Sequence, residues 1–219
     1  MIAVASVARR GFGEEVPHPD DLEISLDFSA VQRGAERVRA MLLDLRTRYD
    51  LAPYEYCKQV RIAPSEIPYS HPRITLNTWV RDDLGLLSMY LHEQMHWYVT
   101  WYSHARAASW HAVLERLRRR YPNLPDAAAG GADDAFSTLL HLMVNWLEIE
   151  AVSRFIGRDR VVDHFRSLPF YQWIYRTVLD DGEPLGALYR EHGLLPMRHA
   201  TEMSADDLTL AGLGDEAPG

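Results

Sequence analysis

Cysteine is nearly missing. Cys57 stands alone among 219 residues, which excludes an intramolecular disulfide framework and a cysteine-based zinc knuckle. Long apolar runs are missing too, and no stretch reaches the roughly 20 residues that span a bilayer. Residues 2–8 are mildly apolar, but Arg9 and Arg10 follow that run instead of preceding it, the wrong order for a secretory leader. A soluble, cytoplasmic protein without a membrane partner is therefore expected. Positive charge is scarce: 23 Lys and Arg stand against 31 Asp and Glu, a net charge of −8. That balance argues against a nucleic-acid partner. The one dense basic run, Arg116 to Arg120, reads as a solvated helix end, where cations complement the dipole.

What is present is ordinary for a globular protein, 47% of residues apolar and 25% charged, and 219 residues make one sizeable domain or two small ones. Residues 1–20 read as a loose lead-in, 21–204 as a single domain, and 205–219, acidic and rich in small residues, as a flexible tail. Leu22 to Phe28 alternates apolar and polar residues, a half-buried strand. Val31 to Tyr49 places Val31, Val38, Met41, Leu42 and Leu45 at helical spacing. Cys57 to Ile62 and Arg73 to Val80, separated by Pro64, Pro68 and Pro72, read as two further strands. Helices are predicted from Asp82 to about His104, then over 108–119, 134–156, 160–166, 170–179 and 184–191. The expected class is α+β, a small N-terminal sheet packed on a mainly helical body. Oligomeric state is not readable.

The helix that starts at Asp82 contains His92-Glu93-Gln94-Met95-His96. Residues four apart lie one turn on, so His92 and His96 project from the same face and can share one metal ion. Glu93, about 100° round from His92, can reach a metal-bound water and take its proton. Leu84, Leu86, Leu87, Met89, Leu91, Met95, Trp97, Val99 and Trp101 surround the motif on most sides. A helix apolar nearly all round is buried. Buried histidines and glutamates need partners, and Zn2+ would satisfy all three.

Catalytic zinc usually takes three protein ligands and keeps one position open. The helix over 134–156 offers Glu148 and Glu150, about 200° apart round its axis, so only one can face a given site. Glu150 precedes Arg154 by four residues, the favourable order for an ion pair, whereas Glu148 has no such partner. Glu148 is therefore the preferred third ligand and Glu150 the reserve. His141 and Asn145 share the Glu148 face, as groups that orient a ligand, line a cleft or bond to backbone. His104, His111, His164, His192 and His199 lack paired helical spacing and are not expected as ligands.

With this motif and a glutamate on a later helix, the chain resembles the gluzincin branch of zinc metallopeptidases over roughly residues 57–157. The resemblance implies a zincin-like fold, with His92, His96 and Glu148 as zinc ligands and Glu93 as general base. It also implies that Arg73 to Val80 is an edge strand that binds extended peptide by β-augmentation. Tyr171, Tyr175 and His192 follow the ligand helix, as the oxyanion-stabilising Tyr or His does in that group. The chain departs from thermolysin-like members at Leu147 and Val152, which stand where those carry an asparagine and a second-layer aspartate. The 52 positions from His96 to Glu148 leave room for an extra helix.

The expected function is zinc-dependent hydrolysis of a peptide or protein substrate. Two alternatives use the same residues. One is a non-haem metal oxygenase built on two histidines and a carboxylate. The other is a catalytically silent metal-binding domain, which would have no need of Glu93.

Overall fold

The computed structural model describes residues 22–26 and 32–214. The lead-in expected over residues 1–20 lies outside the described residues, as do Asp27, Phe28 and Val31. The architecture is α+β and mostly helical. Three short strands, β1 (Glu23–Leu26), β2 (Gln59–Ile62) and β3 (Ile74–Leu76), form a parallel sheet in the order β1-β2-β3. Ile24 pairs with Val60, and Val60 with Ile74. All three are buried, as a small parallel sheet covered by helices requires.

Helix α1 (Gln32–Arg48) makes the crossover from β1 to β2 and packs against both. The connection from β2 to β3 carries no helix. Tyr69 folds back instead and forms an antiparallel bridge with Thr75, exchanging both backbone hydrogen bonds at 3.1 and 2.8 Å. The outward N–H and C=O of Thr75 are thereby taken by the chain itself. The edge that the sequence offers to an extended peptide is therefore partly covered by its own backbone.

Helix α2 (Asp83–Ala105) carries the motif and starts where Asp82 caps it, accepting from the Gly85 N–H at 2.8 Å. It packs on β3 and α1 and, most extensively, on α4 (Ala135–Ile156). Asp134 caps α4 in the same way, through the Ser137 N–H. Helices α3 (Ala107–Arg120), α5 (Arg158–Ser167), α6 (Gln172–Asp180) and α7 (Gly182–Glu191) complete the body. Within the basic run Arg119 pairs with Glu115, and Arg120 hydrogen-bonds Asp181 at 3.1 Å.

Two polar contacts fix α2 against the N-terminal part. The Gln94 side chain accepts from the Cys57 N–H at 2.9 Å and donates to the Cys57 carbonyl at 2.7 Å. It completes both backbone bonds of one residue, as a neighbouring strand would. Arg46 forms a buried two-point ion pair with Glu55, to which Tyr90 also donates at 2.9 Å.

The tail differs from expectation. Residues Ala205–Ala211 form a further helix, α8, packed against α2. Ser204 and Asp207 cap it reciprocally, Trp101 donates its indole N–H to Asp207 at 2.8 Å, and His71 donates to the Ala211 carbonyl at 2.8 Å. Just past its end, Gly212 lies against the Trp97 ring. Among the described residues no helix is long and apolar enough to cross a membrane.

Candidate metal centre

Helix α4 crosses α2 in antiparallel sense. Glu148 meets Ser88 and His92, while His141 meets His92 and His96. The rings of His92, His96 and His141 stand 5.0, 5.1 and 5.6 Å apart by their centroids, and one ligand atom from each lies within 4.8 Å of the other two. The Nε2 atoms of His92 and His96 are 3.3 Å apart. Zinc–imidazole bonds at tetrahedral angles separate ligand nitrogens by about 3.3 Å, so the two motif histidines already hold that spacing.

The opposite ring edges of His141 and His92 are contacted from outside. The His141 Nδ1–H donates to the Ser137 carbonyl at 2.7 Å, and His92 Nδ1 lies 3.0 Å from Glu148 Oε2. The Ser137 carbonyl can only accept, so it places the His141 proton on Nδ1 and leaves Nε2 with its lone pair. All three rings are largely buried: His96 is 6% exposed, His141 7%, and the His92 side chain 12%.

Glu148, expected as a ligand, therefore sits behind His92 and not among the converging nitrogens. It is fully buried and accepts from Ser88 Oγ at 2.6 Å and Tyr175 Oη at 2.9 Å, besides facing His92. Glu150 is turned away, and its ion pair is with Arg158 at 2.7 Å instead of the expected Arg154. The reason is the helix end: α4 stops at Gly157, whose φ of +89° suits glycine, and the chain turns Arg158 back toward Glu150. Arg154 engages Tyr54 instead.

Glu93 is buried beside the cluster, and its charge is felt by the Tyr171 phenol. Tyr171 stands at the start of α6 with φ +49°, a left-handed conformation rare for an aromatic residue and costing about 1 kcal/mol. The Gly130 carbonyl holds this turn by accepting from the Trp173 N–H at 3.0 Å. The turn lays the Tyr171 ring 4.5 Å from that of His141 and 6.3 Å from that of His92. Burial, then the charges of Glu93, Asp133 and Glu148, push the phenol up to about 12. Tyr175 is raised well above the ordinary range by burial and Glu148, and its hydroxyl is committed to that carboxylate. His192 lies elsewhere: its carbonyl accepts from Tyr102 at 2.9 Å, and Tyr102 is six residues, about 9 Å, beyond His96 along α2. Asn145 is fully buried with neither amide atom hydrogen-bonded among the described residues, so it does not orient a ligand.

The residue that sequence reasoning underrated is His141. A signal existed: it is the one histidine in an α4 run apolar on all sides, where an imidazole needs a partner. No family model matches this chain, and no curated protein or solved structure matches it.

Proposed function

We propose that this protein is a metal-dependent hydrolase acting on peptide bonds, with zinc held by His92, His96 and His141. The observation that carries the reading is the convergence of three imidazoles beside Glu93, on a helix that lies against a small sheet. Three neutral nitrogen donors suit zinc and leave it an open position. When bound, the ion supplies Lewis acidity, polarising a carbonyl and making a bound water more acidic. Glu93 accepts the proton of the attacking water and passes it to the leaving amine. Tyr171, its ring 4.5 Å from that of His141, carries its phenolic proton at neutral pH as an ordinary phenol does, and donates it as a hydrogen bond to the developing oxyanion. Glu148 meets His92 at Nδ1, the ring nitrogen other than the one beside His96, and this weighs against the two-histidine, one-carboxylate iron reading.

The test is metal analysis of the purified protein together with cleavage of a fluorogenic peptide library. Glu93→Gln should retain one metal equivalent per chain and lose activity by at least 10²–10⁴-fold, roughly the contribution of a general base. Full activity in that variant would sink the mechanism. Tyr171→Phe should lower kcat while leaving KM and metal content near those of the parent.

A further inference from the structure

The buried carboxylate behind His92 has a task of its own. Glu148 is 0% exposed, and a carboxylate taken fully out of water must be matched by donors. Three surround it: Ser88 Oγ on Oε1, and Tyr175 Oη and His92 Nδ1 on Oε2. They come from two turns of α2 and from α6, so the carboxylate is fixed from two helices. An ionised carboxylate only accepts, so His92 presents Nδ1–H to it, and the other ring edge carries the Nε2 lone pair 3.3 Å from His96 Nε2.

We propose that Glu148 is a positioning residue and not a ligand: it selects the Nδ1–H tautomer of His92 and fixes the ring plane, while Ser88 and Tyr175 hold the carboxylate in place. This rests on the metal-site reading above. The geometry of α4 makes the two roles exclusive. His141 and Glu148 are seven residues apart on one helix face, about 10 Å along the axis. With His141 beside both motif histidines, Glu148 reaches only the back of His92.

Two measurements test this. In metal-free protein, long-range proton–nitrogen NMR of the histidines reads the tautomer. His92 should carry its proton on Nδ1 in the parent, and in Glu148→Leu should become a mixture of tautomers. An Nε2–H tautomer in the parent overturns the proposal. In zinc-loaded protein, X-ray absorption should count three imidazoles both in the parent and in Glu148→Gln. The glutamine can still accept from His92 and Tyr175 through its oxygen, with only the Ser88 hydroxyl reversed. Its zinc affinity should fall about 10–100-fold, the range found for partners of ligand histidines. Two imidazoles and a carboxylate in the parent would overturn the proposal. Tyr175→Phe, which leaves the His92 contact in place, should keep the count at three with a several-fold weaker affinity. The tautomer measurement needs no metal. A parent that binds no zinc therefore defeats the metal-site reading, while the grip of Glu148 on His92 stands or falls separately on the tautomer.

Discussion

Gln94 sits in the middle of the motif yet faces away from it, 200° round from His92, and its amide is fully buried. Gln94→Ala would leave the N–H and C=O of Cys57 without their partner in a dry setting. Each such group costs about 1–3 kcal/mol, so a loss of about 2–6 kcal/mol is expected, a drop in Tm of roughly 4–24 °C for a chain of this size. Thermal melts of the two proteins check this, and a change under 1 °C would mean that the pair contributes little. At this scale the sequence is most legible where spacing alone decides: His92, Glu93 and His96 follow from one helical turn. The choice between His141 and Glu148 does not follow from spacing. Both lie on one face of α4, and only the height at which α4 crosses α2 determines which meets the motif. That height is set by packing between residues far apart in the chain.

Among elements, α8 has the composition of a tail, acidic and small, yet its stability comes from where it docks. Asp207 accepts from the Trp101 indole and from the Ser204 backbone and hydroxyl, and pairs with Arg198 at 3.0 Å. These contacts, the Trp101 bond foremost, hold its carboxyl at about 2, below the ordinary 3.8. A depressed folded-state value stabilises above the unfolded value and ceases to do so as pH falls through the folded one. The stability advantage of the parent over Asp207→Asn should therefore be constant above about pH 5, shrink below about pH 4 and be gone only near pH 1, below both values. Urea midpoints across that range test it, and an advantage that grows toward acid would contradict the assignment. The other helices are legible from period and caps, Asp82 and Asp134 marking two starts to within a residue. The parallel sense of the sheet is not, because alternation within a strand carries no direction; the α1 crossover supplies it.

For the whole molecule, periodicity along the chain anticipates the α+β class, with the sheet at the N-terminal side and helices after it. It does not anticipate that the sheet edge is partly closed by Tyr69, since a single bridging residue leaves no periodic trace. Nor does it anticipate the buried Arg46–Glu55–Tyr90 cluster that ties α1 to α2, because each member reads as an ordinary surface or core residue when taken alone. The three-histidine cluster proposed as a metal site thus draws on α2 and α4, with Tyr171 from the turn before α6 beside it, while α1 and the sheet supply the ground against which α2 is held.

The strand-like bond between Gln94 and Cys57 makes one backbone amide a reporter for the distant side of α2. The Cys57 N–H bonds to the Gln94 side chain, so departure of α2 frees it, and a metal held by His92 and His96, as proposed, would resist that departure. If departure of α2 also breaks the metal site, zinc at 100 times its Kd adds about 2.7 kcal/mol to the opening, which slows exchange of this amide about a hundredfold. Hydrogen–deuterium exchange with and without zinc would display that clock slowing in a residue that touches no ligand; an unchanged rate would mean that the helix opens without disturbing the three histidines.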